Sequence, residues 1–289
     1  MIQTENAMTL QNIEKHYKDF ALGPLSLELP QGVVMGLVGA NGAGKSTLIK
    51  LLLGIVRPTA GQVQVLGGSP EDIAVRQQIG VVFDELPVDP IHTAARLGRV
   101  FGGIYTQWDE PLYQQLLRKL ELYSPTQPIK DYSRGMRMKL SIALAMSHHA
   151  RLLLLDEPTG GLDPIVRGEI LDLLREFMQD ETHSILISSH ITSDLEKIAD
   201  LVAYLDRGRL LLLEEKDTLL EQYGLCKLRR EELENLDPSL LLGLREEAFG
   251  YSALTADPAA VRRSCPGVTI DRAGLDTIME YLVKEARKE

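Results

Sequence analysis

The stretch QGVVMGLVGANGAGKSTLIKLLLG, residues 31–54, decides the fold of this chain. Residues 33–38 form an apolar run, which is typical of a strand buried in a parallel sheet. Residues 39–44 are rich in glycine and predict a loop, and Ser46 begins an apolar segment that predicts a helix ending near Gly54. A strand, a glycine loop and a helix in this order predict an α/β fold.

The glycine loop also carries a phosphate-binding pattern, because residues 39–46 match G-x-x-x-x-G-K-[ST]. Backbone N–H groups in such a loop bind phosphate oxygens, helped by the positive end of the following helix. Lys45 is expected to contact the β- and γ-phosphates of ATP, and Ser46 to ligate Mg²⁺. A glycine turn that binds no nucleotide is the alternative, which the strand–loop–helix order disfavours. The expected nucleotide-binding residues here are Gly39, Asn41, Gly42, Ala43, Gly44, Lys45, Ser46 and Thr47.

A second apolar strand, in RLLLLDEPTGGLDP at residues 151–164, ends in two carboxylates. Asp156 is expected to be a second ligand of Mg²⁺, since parallel strands present their carboxyl ends at one edge of the sheet. Glu157 is then placed to act as general base on the attacking water, an effect worth roughly 10²- to 10⁴-fold in rate. A solvated acidic turn is the alternative, which the phosphate loop upstream disfavours.

The stretch KDYSRGMRMKLSIALAMS, residues 130–147, predicts a helix with a polar start. Met138, Ile142 and Ala145 recur at three- and four-residue spacing, and Ser133 is a candidate N-cap. Capping alone would explain this serine.

Composition and charge exclude several classes of protein. The chain has 289 residues, of which 44% are hydrophobic and 25% charged, and its formal net charge is -10. This acidic balance argues against a general nucleic-acid binder. Cys226 and Cys265 suit neither a disulfide framework nor a metal knuckle, which favours a reducing, cytoplasmic compartment. The N-terminus has no signal-peptide pattern and no apolar run is long enough to cross a bilayer, so any membrane role is expected to be peripheral.

The order of these motifs resembles the nucleotide-binding subunit of an ABC transporter over roughly residues 8–215. YSRGM, residues 132–136, lies where that family usually has LSGGQ. The resemblance implies a P-loop NTPase of ABC type, with a RecA-like core, an antiparallel β subdomain and a helical subdomain at about residues 87–145. It also implies that two copies pair head to tail, so that Ser133 and Gly135 of one close over the γ-phosphate bound by the other.

Three further site residues are implied by the same resemblance. Asp163, in the segment Gly-Leu-Asp after the second strand, corresponds to the D-loop that connects the two sites of the dimer. His190, at the end of SILISSH, corresponds to the switch histidine that contacts the γ-phosphate and the water. Tyr17 corresponds to the aromatic residue that stacks on adenine, with Phe20 as the substitute and a core role as the alternative for either.

The chain departs from the family pattern at three positions. Arg134 and Met136 replace the usual Gly and Gln of the signature, and Arg134 is expected to point to solvent rather than to a phosphate. Asp84, followed by Glu85, stands where the family has a Gln that contacts Mg²⁺. A carboxylate can also ligate Mg²⁺, so Asp84 is a candidate metal ligand.

The remaining segments predict the domain organisation. The chain between residues 87 and 132 predicts helices interrupted near Gly102, Gly103 and Pro111, with Trp108 in the core. His148 and His149 are expected on the surface. Residues 1–215 would form the ATPase domain, and 216–289 a small C-terminal α+β extension with a dimerisation or regulatory role, containing strands around SLLLGL and VTID.

The resemblance implies an ATPase subunit that dimerises around two ATP–Mg²⁺, with a homodimer favoured and a heterodimer as the alternative. It would lie on the cytoplasmic face of the membrane and power a separate integral membrane permease, for export of drugs, antibiotics or peptides. A soluble ABC ATPase of DNA repair or the ribosome is one alternative, disfavoured by the single phosphate loop and the acidic charge. A non-hydrolysing regulatory subunit is another alternative. The departures at residues 84, 134 and 136 favour it, and it is opposed by the retained residues Lys45, Ser46, Asp156, Glu157 and His190.

Overall fold

The computed structural model describes residues 5–124 and 126–286 and contains three sheets with helices around them. The strands are β1 Asn6–His16, β2 Ala21–Pro30, β3 Val34–Val38, β4 Ala60–Val65, β5 Ile79–Val82, β6 Leu152–Asp156, β7 Ser184–Ser189, β8 Leu201–Asp206, β9 Arg209–Glu215, β10 Gly224–Leu228, β11 Leu242–Glu247, β12 Gly250–Thr255 and β13 Thr269–Arg272. The α-helices are α1 Lys45–Leu52, α2 Ile73–Arg76, α3 Ala94–Ile104, α4 Glu110–Lys119, α5 Arg134–Met146, α6 Pro164–Phe177, α7 Thr192–Ile198, α8 Lys216–Gln222, α9 Arg230–Glu234, α10 Pro258–Ser264 and α11 Leu275–Ala286. Within the described ranges no helix is long and apolar enough to cross a membrane.

The central sheet has six strands in the order β5-β6-β7-β3-β8-β9. Its strands β5, β6, β7, β3 and β8 are parallel, and β9 pairs antiparallel with β8. All five residues of β3 are buried, as the apolar run predicted. Because parallel strands end at the same edge, the segments that follow β3, β5, β6 and β7 meet there.

The two faces of the central sheet contribute to two different cores. Leu153 and Leu155 of β6 belong to the main core, which also contains residues of α4, α5, α6 and α7. Leu152 and Leu154 point the other way, into a second core with α1 and the antiparallel sheet β2-β1-β4. The expected antiparallel β subdomain is therefore present at the N-terminus, packed on the face of the sheet that α1 also covers.

The break between α3 and α4 lies where the sequence predicted an interruption, near Gly103 and Pro111. Helix α3 ends at Ile104, one residue after Gly103, and α4 begins at Glu110, so Pro111 lies in its first turn, where proline is tolerated. The starts of the two helices follow side-chain caps: Thr93 accepts from Arg96 N, and Asp109 accepts from Leu112 N. Trp108 is half-buried against the main core.

One expectation for the histidines is wrong. His148 is buried, with 1% of its surface exposed, and its ring stacks on Tyr105 with 3.8 Å between centroids. Burial lowers the pKa of His148, because desolvation disfavours the charged ring. The stacking partner and the backbone carbonyl of Ile79, 3.2 Å from Nε2, explain why this polar ring lies inside. His149 is exposed, as expected.

The C-terminal extension is an α+β unit built on the antiparallel sheet β11-β12-β10-β13. It has a small core of its own, which we call the extension core: Cys226, Leu228, Leu236, Ala253, Val261 and Val268. Helix α11 instead packs on α7, and the backbone N–H of Leu275 donates to Glu196 Oε1 at 2.7 Å. Leu275 and Ile278 belong to the main core. Both cysteines are free thiols in the described structure.

Candidate nucleotide-binding site

The phosphate loop joins β3 to α1 through backbone conformations that favour glycine. Gly42 has φ +81° and Gly44 has φ +114°, in a region that other residues rarely adopt. A Cβ on Gly44 would lie 2.8 Å from Leu22 Cδ1, so the position also lacks space. The backbone therefore turns tightly and directs the N-terminus of α1, which begins at Lys45, toward the loop.

Lys45 is held beneath the loop, with only 6% of its surface exposed. Its Nζ donates to the carbonyl of Gly39 at 2.6 Å and lies 3.3 Å from Glu157 Oε1. That oxygen is buried and forms no hydrogen bond in the described structure. A buried ammonium and a buried carboxylate oxygen thus face each other at the point where the sequence predicts the phosphates and the attacking water.

Glu157 also contacts the predicted switch histidine. Its Oε2 lies 2.6 Å from His190 Nδ1 and accepts a second, longer hydrogen bond of 3.3 Å from the backbone N–H of His190. The ring of His190 is 57% exposed, so it can reach a bound group while holding Glu157. The strand order places β6 beside β7, and this adjacency brings the two residues together.

Ser188 is a site residue that the sequence analysis missed. Its hydroxyl donates to Asp156 Oδ1 at 2.7 Å and accepts from the backbone N–H of Glu157 at 3.0 Å. The only signal in the sequence is its position in SILISSH, two residues before His190. Ser188 therefore fixes the Asp156 carboxylate relative to the backbone of Glu157.

The residues available to a metal ion fit Mg²⁺ bound with a nucleotide. Ser46 is exposed at the start of α1, and Asp156 is half-buried at the end of β6. In the described part of the chain, no three His, Cys, Asp or Glu residues cluster where they could hold a metal ion. A hydroxyl and a single carboxylate suit Mg²⁺, which usually takes its other ligands from phosphate and water.

The two aromatic candidates for the base follow strand β1, and one of them, Phe20, contacts the phosphate loop. Tyr17 is 46% exposed in the turn between β1 and β2. Phe20 is half-buried, 6.4 Å from Tyr17 between ring centroids, and its Cζ would be 3.1 Å from a Cβ on Gly44. Phe20 therefore packs on the loop, while Tyr17 presents an accessible ring. The stacking role of Tyr17 stays a prediction.

The signature segment forms an exposed helix N-terminus, as the sequence predicted. Ser133 is the N-cap of α5, and its Oγ accepts from Met136 N at 3.1 Å. Gly135 is buried, and a Cβ there would lie 3.0 Å from Val166 Cγ1 on α6. Asp163 caps the N-terminus of α6, accepting from the two backbone N–H groups of residues 165 and 166. The first turns of α5 and α6 are thus packed together.

The side chain of Asp84 pairs with Arg134 and not with Glu157 or His190. Its carboxylate accepts a hydrogen bond from Arg134 Nη2 at 2.5 Å, and both side chains are about half exposed, 55% and 51%. Arg134 is therefore paired with a carboxylate rather than pointing freely to solvent. A role for Asp84 in binding Mg²⁺ stays a prediction.

The geometry defines a class of protein. A phosphate loop between a buried parallel strand and a helix, facing a carboxylate and a histidine from neighbouring strands, is the arrangement of a P-loop ATPase.

Comparison with known proteins narrows the class to a family. The model of the family described as "ABC transporter" matches residues 22–160. The "Lantibiotic transport ATP-binding protein SrtF" of Streptococcus pyogenes is 34% identical over 212 residues, 73% of this chain and 91% of that protein. The "Nod factor export ATP-binding protein I" of Rhizobium sp. (strain N33) is 34% identical over 93% of this chain and 91% of that protein. A solved structure of an ATP-binding subunit of an ABC transporter gives a TM-score of 0.68 at 26% identity, covering 75% of this chain and 92% of its own. The chain belongs to the ABC transporter family, as an ATP-binding subunit that hydrolyses ATP.

Proposed function

We propose that two copies of this chain dimerise around two ATP–Mg²⁺ and drive a separate membrane permease. The observation that carries the proposal is the position of Glu157, between Lys45 and His190, at 3.3 Å and 2.6 Å. One chain carries the phosphate loop, the carboxylates and the signature helix, so a homodimer contains two complete composite sites. It would lie on the cytoplasmic face of the membrane, against its permease.

The Lys45–Glu157 contact suggests how hydrolysis is set up. The phosphates of ATP compete for the Lys45 ammonium, because they are stronger anions than a single carboxylate. When Lys45 moves to the phosphates, Glu157 Oε1 loses its cationic partner and becomes free to accept a proton from the attacking water. His190 keeps the carboxylate oriented through Oε2. Ser46 and Asp156 would hold Mg²⁺, which would neutralise charge on the phosphates.

The helical segment offers a surface for the permease. A groove of about 440 Å³ lies between the segment after β5 and helix α5, and it combines an apolar floor with charged rims. Phe83, Leu86, Val88 and Met138 contribute the apolar side chains. An apolar groove bordered by charges suits an amphipathic helix of a partner protein. Related proteins named for lantibiotic transport, bacitracin transport and Nod factor export support an exporter as that partner.

The dimer is tested with Glu157→Gln, which keeps the shape of the side chain and removes the base. This variant is expected to bind ATP–Mg²⁺, to lose turnover by at least about 10²-fold, and to accumulate as a dimer in ATP. Light scattering after gel filtration measures the dimer, and phosphate release measures turnover. Turnover at the wild-type rate would exclude Glu157 as the base, and a monomer in saturating ATP would contradict the dimer.

The permease is tested by using the tagged wild-type chain as bait in detergent-solubilised native membranes. Mass spectrometry, with and without ATP, is expected to identify a polytopic membrane protein among the captured proteins. Capture of ribosomes or DNA-repair proteins with no permease would support the soluble ABC ATPase instead.

A further inference from the structure

Two residues that depart from the family pattern, Asp84 and Arg134, contact each other although they are 50 positions apart. We propose that they act as one positioning pair, which holds the N-terminus of α5 in place for the nucleotide of the second copy. In this inference Asp84 acts through Arg134 and not on Mg²⁺. The inference rests on the proposed dimer, because Ser133 and Gly135 at that N-terminus would serve the partner's site.

The pair completes a two-ended attachment of α5 to the central sheet. Just after the helix, His148 Nε2 lies 3.2 Å from the carbonyl of Ile79, at the start of β5. At the other end, Arg134 is the first residue of α5 and binds Asp84, which follows β5. Since β5 pairs with β6, the attachment fixes the signature helix relative to Asp156 and Glu157 of the same subunit.

Arg134 also contacts the loop that follows β6. A Cβ built on Gly161 would lie 3.0 Å from Nη1 and 3.2 Å from Cζ of Arg134, so the guanidinium packs closely on this glycine. Gly161 has φ +67°, where a side chain is already disfavoured. One side chain thus touches the segment after β5 and the loop before α6, while its backbone begins α5.

Charge explains why the two departures occur together. A helix N-terminus carries a partial positive charge, so an arginine in the first turn is unfavourable by itself. The first turn of α5 contains Arg134 and Arg137 and no acidic residue. Asp84 supplies the missing negative charge from outside the helix. Replacing either member alone leaves an uncompensated charge beside the signature, whereas replacing both removes the problem along with the attachment.

The size of the effect follows from the exposure of the pair. Ion pairs that are about half exposed contribute modestly, and we expect a two- to fivefold effect per site. A symmetric dimer contains two such pairs, so the dissociation constant of the ATP-bound dimer should change by about four- to twenty-five-fold. The affinity of a single subunit for ATP should not change, because the phosphate loop lies between β3 and α1 and the pair is outside it.

The experiment compares variants in the Glu157→Gln chain, whose dimer does not turn over. Dimer dissociation constants in saturating ATP–Mg²⁺ are measured by light scattering for Asp84→Asn, Arg134→Gln and the double variant. Each single change is expected to raise the dissociation constant of the dimer by about four- to twenty-five-fold. The double variant is expected to raise it no further than the single variant that has the larger effect. Arg134→Lys should retain part of the affinity. Arg137→Gln is the matched control, because it removes the same charge from the same turn of α5. Arg137 forms no ion pair in the described structure, so the dissociation constant of the dimer should not change.

Three results would overturn the inference. A dimer unaffected by Asp84→Asn but weakened by Arg134→Gln would mean that Arg134 acts alone. Additive effects in the double variant would mean that the two residues act independently. Loss of Mg²⁺-dependent nucleotide binding to the Asp84→Asn monomer would make Asp84 a metal ligand. If the parent Glu157→Gln chain itself stays monomeric, the proposed function fails with it, and the parent measurement identifies that case.

Discussion

The backbone of Glu157 adopts a strained conformation that positions its carboxylate in the site. Its φ of +54° lies in a region that costs a non-glycine residue roughly 1–3 kcal/mol. The conformation is retained because the backbone N–H of Glu157 lies within hydrogen-bonding distance of both the hydroxyl and the carbonyl of Ser188, at 3.0 Å and 3.2 Å. The turn lets the two carboxylate oxygens face different partners, Lys45 and His190. The strain therefore accompanies a carboxylate that is positioned before the substrate arrives.

Replacing Ser188 with alanine tests this positioning. Ser188→Ala removes the hydroxyl that joins Asp156 to Glu157, and we expect kcat to fall about tenfold, equivalent to roughly 1.4 kcal/mol, with little change in KM. Ser184→Ala is the matched control, because this buried serine at the other end of β7 accepts from Gly32 N and is far along the strand from the site. Steady-state ATP hydrolysis measures both. Unchanged kcat in Ser188→Ala would show that the backbone alone holds Glu157.

The sequence predicts the position of a residue in a local motif, but it does not predict contacts between residues that are far apart in the chain. Lys45 lies in a contiguous phosphate-loop pattern, and its place in the structure follows from that pattern. The Asp84–Arg134 pair joins residues 50 positions apart, and the bond from Ser188 to Asp156 spans 32. No single segment records such contacts, because they arise only when the strands and helices have packed.

Helix α3 contains two glycines close to its C-terminal end. Glycine weakens a helix by only about 1 kcal/mol per residue, so a helix that is capped at Thr93 and packed through Leu97 includes Gly102 and Gly103 and ends at the next residue, Ile104. Buried strands and amphipathic helices could be predicted from their periodicity. The break between α3 and α4 was also predicted, from Gly102, Gly103 and Pro111, whereas the exact last residue of α3, Ile104, was not.

The two glycines of α3 provide a matched pair of substitutions. Gly103→Ala is expected to raise the free energy of unfolding by about 0.5 kcal/mol, because a Cβ there meets nothing within 4 Å and alanine favours the helix. Gly102→Ala should give no such gain, since its Cβ would lie 3.0 Å from Trp108 Cδ1. Urea unfolding at equilibrium measures the difference. Equal stabilisation by both changes would show that Trp108 moves aside freely.

In the whole molecule, side chains of the C-terminal extension belong to two different hydrophobic cores. Its sheet encloses the extension core, whereas α11 and α8 contribute Leu275, Ile278 and Leu219 to the main core. Helix α7, which follows His190 by two residues, lies between α11 and the ATPase core. The stability of the nucleotide site should therefore depend on residues near the C-terminus.

Two buried aliphatic residues of the extension test this dependence. Ile278→Ala removes a side chain from the main core and is expected to lower the free energy of unfolding by about 2–5 kcal/mol. The midpoint of the thermal unfolding transition followed by Trp108 fluorescence should fall accordingly. Val261→Ala, equally buried but in the extension core, should shift that transition much less. Trp108 is the only tryptophan, so its fluorescence reports the main core. Equal shifts in the two variants would mean that the whole chain unfolds as one unit.

The contact between Glu196 on α7 and the N–H of Leu275 limits how this chain can be recombined with its relatives. A chimera that joins the first 215 residues to the C-terminal segment of another family member would keep every motif of the phosphate site. It would nevertheless bring together two surfaces that were shaped separately. Only donors whose last helix matches α7 should give a folded hybrid, so we expect the extension to be exchangeable only together with its ATPase domain.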